Sequence, residues 1–260
     1  MPKKLVGDIK IYYEITGEGE PLLLIHGLGS STRDWEENIP IFSKKYQVIT
    51  VDIRGHGKTD KPKGPYSIKN FAKDIAELLM SLGLSSVNVL GVSLGGAVVI
   101  QLTIDYPELI KTLVIVNAAP TSGDLSLLEQ VINGRIELIK VKGMRGMGET
   151  LAPVLFIKPE QEELRKKFVE RWAENNNESY INALKSLITW NVSDNQLHTI
   201  KCPTLVLASD EDYTPVSVKE ELVKKIQNSH LVIINDARHA VPMEKPEEFN
   251  AAVMEFLLKY

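Results

Sequence analysis

Few residues in this chain have the type and spacing to do covalent chemistry. Ser93 stands in Gly91-Val92-Ser93-Leu94-Gly95, after the apolar positions Val87, Val89, Leu90 and Val92 and before the small residues Gly96 and Ala97. The first run reads as a buried strand and the second as a small-residue helix. A serine with glycine two positions to either side, between strand and helix, fits the strained turn called the nucleophile elbow. A serine at positive φ on so tight a turn needs neighbours without bulky side chains, so that strand and helix do not collide. The pentapeptide alone is also what a glycine-rich connection with an ordinary serine looks like. What gives it weight is its company: His26, Asp52 and His56 early in the chain, Asp210, Glu211 and Asp212 late, then Asp236 and His239. A serine hydroxyl is nearly inert at neutral pH unless a base removes its proton during attack. Histidine suits that task because its pKa lies near the working pH.

The elements that must position these residues alternate. Ile9 to Thr16, with Leu5-Val6, reads as a half-exposed antiparallel hairpin. Leu22 to Ile25, Tyr46 to Val51, the elbow strand, Ile110 to Val116, Pro203 to Ala208 and His230 to Ile234 read as strands. Several are apolar throughout, as expected of strands covered on both faces. Helices fall between them: one capped by Ser67, one after the elbow, one after Pro215 and one opened by Pro246. Strand alternating with helix argues for a mostly parallel sheet with helices on both faces. The rhythm breaks between about Ala119 and Asn195, where three helical stripes follow one another: Leu125 to Ile139, Leu164 to Trp172 and Ile181 to Ile188. Gly143, Gly146, Gly148 and Pro153 are expected to separate the first stripe from the second. The division expected is a core domain over 1–118 and 196–260, carrying a helical lid over 119–195.

Composition narrows the function classes. The 260 residues carry a formal charge of −4, with lysines dispersed among glutamates, which speaks against a nucleic-acid surface. No apolar run reaches membrane-spanning length and the N-terminus lacks a secretory signal, so a cytoplasmic location is the expectation. The single cysteine, Cys202, excludes an internal disulfide framework. The five histidines show no metal-ligand spacing and no phosphate loop with its lysine is present. No cofactor and no metal is expected, and the partner is a small molecule.

Together, His26-Gly27, Asp52-x-Arg-Gly-x-Gly57, the elbow, a late aspartate after a strand and His239 resemble the α/β-hydrolase superfamily. The resemblance spans essentially the whole chain and implies a mostly parallel, roughly eight-stranded twisted sheet with a helical lid. It implies that Ser93 is the nucleophile and His239 its general base. Members usually read Gly-x-x-Asp before a proline; here Ser209 stands in the glycine's place, which puts Asp212 at the acid position ahead of Pro215. Asp210 is the fallback, and Asp236 lies so close to His239 in sequence that it reads as shaping the histidine's loop. The backbone N–H groups of Leu94 and, by resemblance, Leu28 would form the oxyanion hole. His26, Asp52, Arg54 and His56 read as a turn-stabilising network.

Branches of the superfamily separate by substitution. Dehalogenases and epoxide hydrolases carry aspartate at the elbow, carbon–carbon bond hydrolases often tryptophan after the catalytic histidine, and proline aminopeptidases tryptophan after the serine. Ser93, Ala240 and Leu94 depart from these. What remains is a serine hydrolase of small, fairly apolar carboxylic esters working through an acyl-enzyme. The alternatives are a lactone hydrolase, for example enol-lactonase-like, and a small-molecule receptor with vestigial hydrolysis. Met144, Met147, Phe156, Trp172 and Trp190 are the expected substrate contacts, and Arg145 is a candidate for meeting a substrate carboxylate. A monomer or homodimer fits equally.

Overall fold

The computed structural model describes residues 2–120 and 125–260; the part of the expected lid at 121–124 lies outside them. Two strands, β1 (Lys3–Val6) and β2 (Ile9–Thr16), form an antiparallel pair. They are followed by β3 (Glu20–Ile25), β4 (Tyr46–Val51), β5 (Val87–Val92), β6 (Ile110–Val116), β7 (Thr204–Ser209) and β8 (Ser229–Ile234). Among the described residues these make one eight-stranded sheet in the order β1-β2-β4-β3-β5-β6-β7-β8. β2 also runs antiparallel to β4, and every pair from there to β8 is parallel. The chain winds from β3 out to β4, then returns to lay β5 on the other side of β3. The carboxyl ends of β3 and β5 therefore flank the point where the winding reverses, which is where open α/β sheets hold their ligands.

Period-2 alternation divides the strand residues between two cores. Leu23, Ile25, Val87 and Val89 face one layer with the helices α2 (Ile68–Ser81) and α3 (Leu94–Asp105). Leu22, Leu24, Leu90 and Val92 face the other, with Trp35, with Phe42 from the short α1 (Ile39–Phe42), and with Phe249, Val253 and Phe256 of the C-terminal helix. Since both faces are covered, the strands carry the unbroken apolar runs that marked them in the sequence. Ser67 caps α2 as its residue type predicts, its side chain accepting from the Asn70 N–H.

Between β6 and β7 the chain is helical: α4 (Ser126–Leu155), α5 (Glu162–Ala173), α6 (Asn177–Ile188) and the short α7 (Asp194–Leu197). The expected boundary at 195 falls inside α7. Of the expected separators, Gly143 alone interrupts the helix. The helix breaks only at Gly143 (φ 65°, ψ −172°), resumes at once and runs on through Gly146, Gly148 and Pro153. Gly148 serves packing instead, since a Cβ there would stand 3.2 Å from the Trp172 Cβ and 3.3 Å from the Val169 Cα of α5. These helices also have a core of their own, with Ile132, Ile136, Ile139, Phe168, Tyr180 and Leu184 buried together and Leu28, Ala240 and Met243 of the sheet domain packed against them. Polar ties pin the lid down: Asn175 Nδ2 donates to the Gly29 carbonyl (2.7 Å), and Arg171 bonds Asp34 (3.2 Å) and Glu36 (2.8 Å). No helix among the described residues is long and apolar enough to cross a membrane.

The elements after β7 complete the sheet domain: α8 (Val216–Lys225), α9 (Val241–Glu244) and α10 (Pro246–Leu257). Two lid glycines should respond oppositely to substitution. A Cβ at the exposed Gly134 would meet nothing within 4 Å, so Gly134→Ala should stabilise by about 0.5–1 kcal/mol through its effect on helix propensity. Gly148→Leu should destabilise by about 1–3 kcal/mol through overpacking against α5. Thermal melts of both variants beside the parent check the pair, and equal effects would refute the close approach of α4 and α5.

Candidate active site

Ser93 connects β5 to α3 with φ 56° and ψ −116°, a backbone region that L-residues rarely occupy. The packing around it enforces that conformation. A Cβ at Gly91 would lie 2.1 Å from the Gly95 carbonyl oxygen, and one at Gly95 would lie 2.3 Å from the Ile25 oxygen and 2.6 Å from that of His26. The start of α3 thus rests directly on the end of β3. The Ser93 N–H is held by the Val116 carbonyl at 2.9 Å, and the Ser93 carbonyl accepts from Ala97 to open the helix. Leu94 follows as the first residue of α3, where a helix N–H has no intrahelical acceptor and faces any charge developing beside Ser93.

The loop leaving β3 carries Leu28 to the same place. His26 is fully buried, its Nδ1 paired with the Gly27 carbonyl (2.7 Å) and its Nε2 accepting from the Ile53 N–H (3.2 Å). The ring therefore staples the loop after β3 to the one after β4. Asp52 ties the same loops, accepting from the Thr32 and Lys58 N–H groups at 2.7 Å each. Arg54 grips Asp74 through two bonds of 2.7 and 2.8 Å and reaches Asp8 at 2.9 Å. None of these is free to touch a substrate except His26, which lines the cleft.

His239 follows β8, and its Nδ1 meets Asp212 Oδ1 at 2.7 Å. Of the three carboxylates after β7 and the one after β8, Asp212 is the one brought to the histidine. Asp210 accepts from the Ala237 N–H, and Asp236 pairs outward with Lys158 and Lys245. Asp212 is wholly buried, and so is Lys219 of α8, whose Nζ bonds the other Asp212 oxygen at 2.6 Å and the Thr214 carbonyl at 2.5 Å. Burial alone would raise the Asp212 carboxyl. Bonding to His239 together with its charge, and the bonds from Lys219 and Thr214, outweigh it and hold the pKa at about 2. An ionised Asp212 fixes the Nδ1–H tautomer and leaves Nε2 as an acceptor facing the cleft.

Three supporting residues lie outside any sequence motif. The Tyr213 hydroxyl donates to His239 Nε2 at 2.5 Å while its ring stacks on the imidazole, with centroids 4.0 Å apart. Desolvation around the hydroxyl pushes this phenol up, with the charge of Arg135 and then the Ser93 side chain partly offsetting the shift, so the proton stays on Tyr213. Lys219 is the second. Asn117, at φ 46° after β6, is the third: its Nδ2 donates to Ser209 Oγ (2.8 Å) and the His239 carbonyl (3.1 Å), while its Oδ1 accepts from the Ser209 N–H (2.8 Å). It locks the ends of β6 and β7 to the histidine's loop. Asparagine at positive φ is the one local signal that could have pointed to it.

A cleft opens over Ser93, Leu28, Tyr213 and His239, lined on its lid side by Leu151, Leu155, Phe168, Trp172 and Leu187. Of the expected substrate contacts, Trp172 lines it. Met144, Met147 and Phe156 do not; they are buried inside the lid's own core, where large apolar side chains are equally at home. Trp190 is buried in the sheet core with its Nε1 bonded to Gln101 of α3 (3.0 Å). Arg145 points away from the cleft and pairs with Glu170 on the exposed face of the lid. The arginine that does line the cleft is Arg135. No group of acidic, histidine or cysteine side chains among the described residues could hold a metal ion.

A family profile described as the alpha/beta hydrolase fold matches residues 20–136. The chain has the α/β-hydrolase fold. A 3-oxoadipate enol-lactonase from Acinetobacter baylyi is 29% identical to this protein over 97% of the chain and 95% of the relative. An (E)-2-((N-methylformamido)methylene)succinate hydrolase from the same organism is also 29% identical, over 95% and 93%. Among solved structures, a thermophilic esterase from Thermogutta terrifontis, with malate bound, superposes with a TM-score of 0.90 at 26% identity, covering 99% of this chain and 98% of that one.

The buried histidines give the site a pH signature. Burial lowers His26 to about 4 and His56 to about 3, with the neighbouring His26 charge adding to the latter shift. Unfolded histidine titrates near 6.5, so between about pH 6.5 and 4 the unfolded chain binds more protons than the folded one. Stability present above that window is lost as pH falls through it, and below about pH 4 Asp212 adds a loss of the same sign. Denaturant midpoints measured from pH 7 to 4 should fall with decreasing pH, and His56→Gln should flatten the slope by up to one proton. An unchanged slope would contradict a neutral, buried His56.

Proposed function

We propose that this α/β hydrolase cleaves small carboxylic esters or lactones through an acyl-enzyme on Ser93. The observation that carries the reading is the Asp212–His239 bond of 2.7 Å, set over the same cleft as a serine at φ 56°. Ser93 Oγ attacks the carbonyl carbon as His239 Nε2 takes the hydroxyl proton. The carbonyl oxygen gains charge and is met by the Leu28 and Leu94 N–H groups. When the intermediate collapses, imidazolium passes its proton to the leaving alkoxide, and a water activated by the same nitrogen then releases the acid. Asp212 keeps the tautomer and stabilises imidazolium, with Lys219 holding the carboxylate in place. Tyr213 caps Nε2 before attack and gives way as Ser93 donates. The enol-lactonase and esterase relatives support both ester and lactone cleavage, since one acyl-transfer apparatus opens either bond.

Hydrolysis of p-nitrophenyl esters from acetate to dodecanoate, beside a set of lactones, tests the reading. Turnover should peak at a short chain and fall by roughly 10⁴-fold or more in Ser93→Ala. Turnover surviving in that variant would sink the nucleophile assignment, and ligand-induced melting shifts without turnover would favour a receptor. Tyr213→Phe should keep kcat within a few-fold of the parent. A loss of about 10²-fold or more would put the phenol in the proton-transfer chemistry instead.

A further inference from the structure

The cleft wall is mostly hydrocarbon, yet it includes one guanidinium. Arg135, on the first segment of α4, lines the same cavity as Ser93 and His239 and has no acidic partner among the described residues. Arginines elsewhere on the lid are paired: Arg145 with Glu170, Arg165 with Glu162, Arg171 with Asp34 and Glu36. A cation half-withdrawn from water beside apolar walls, without a counter-charge, is unfavourable unless something fills the place opposite it. Two more donors nearby are also unsatisfied. The Tyr180 hydroxyl is buried beside the Arg135 guanidinium with no acceptor for its proton; burial raises it to about 12, against the charge of Arg135 and that group's contact with the phenol oxygen. Trp172, whose ring packs edge-on against Tyr180 and lines the cleft, buries its Nε1 with no acceptor. Buried polar groups are almost always paired, so three adjacent donors lacking acceptors mark a place for an anion.

The other titratable groups lining the cleft do not supply that anion. Asp34 is engaged by Arg171, His26 by backbone groups, and His239 and Tyr213 by each other. A planar guanidinium matches a carboxylate through two parallel N–H donors, with phenol and indole donors able to cap its remaining lone pairs. We propose that Arg135, with Tyr180 and Trp172, forms a carboxylate anchor, and that the preferred substrates are esters or lactones carrying a free carboxylate. The inference rests on the hydrolase reading above and narrows its substrate class.

Two ester pairs test it, each matching an anionic ester to a neutral one of equal length: monomethyl glutarate against methyl pentanoate for the acyl side, and acetoxyacetate against ethyl acetate for the alcohol side. The wild type should prefer the anionic member of at least one pair by about tenfold or more in kcat/KM, mainly through KM. Arg135→Met should abolish that preference while leaving the neutral ester within a few-fold, and Arg135→Lys should recover part of it. No anionic preference, or a preference that survives in Arg135→Met, overturns the anchor while leaving ester hydrolysis standing. Glutarate itself gives a readout independent of turnover. It should raise the melting temperature of the wild type and of Ser93→Ala, but not of Arg135→Met. Equal shifts in all three, or none, overturn the anchor whatever the hydrolysis results.

Discussion

The site depends on one close contact, the first turn of α3 lying against the carboxyl end of β3. With the Gly95 Cα so near the Ile25 and His26 carbonyls, no side chain fits between helix and strand. That contact forces Ser93 to turn at positive φ, aims the start of α3 at the cleft, and sets the loop carrying Leu28 beside the serine. Holding a serine in this region costs on the order of 1–3 kcal/mol, which the fully buried strands on either side must offset. Both strands are covered on both faces, so the strain sits in the most constrained part of the molecule and cannot relax by moving an exposed edge.

A second layer is electrostatic. Asp212 and Lys219 form an ion pair with no exposure at all, an arrangement that is tolerated only when nearly every lone pair and proton finds a partner. Here Asp212 is shared among His239, Lys219 and Thr214, and Lys219 also reaches the Thr214 carbonyl. α8 thereby holds the carboxylate from behind while the imidazole is held from the front, and Asn117 fastens the histidine's loop to the ends of β6 and β7. The imidazole's orientation is thus determined from three elements distant in sequence.

What the sequence made legible follows from which constraints are local. The strands showed because burial on both faces favours unbroken apolar runs, and the elbow because the close packing of Gly91 on Gly95, and of Gly95 on the end of β3, leaves glycines at a fixed spacing around Ser93. Asp212 is favoured over Asp210 by resemblance alone, because the family's Gly-x-x-Asp pattern, with Ser209 in the glycine's place, puts it at the acid position. Tyr213, Lys219 and Arg135 were not legible, because each owes its place to packing between segments distant in sequence. The lid shows the same limit more sharply. Met144, Met147 and Phe156 fill the lid's own core while Leu151, Leu155 and Phe168 face the cleft, and nothing in an apolar side chain distinguishes the two destinations. The same holds for charge: Arg135, before the break at Gly143, lines the cleft, while Arg145, just after it, pairs with Glu170 outside.

The central claim is that Ser93 alone becomes covalently acylated. Reaction with a fluorophosphonate, followed by intact-mass measurement and peptide mapping, tests it without knowledge of the natural substrate. One adduct per chain, on the peptide containing Ser93 and absent from both Ser93→Ala and His239→Ala, is the predicted result. An adduct on another residue, or labelling of Ser93 that persists at full rate without His239, would contradict the account.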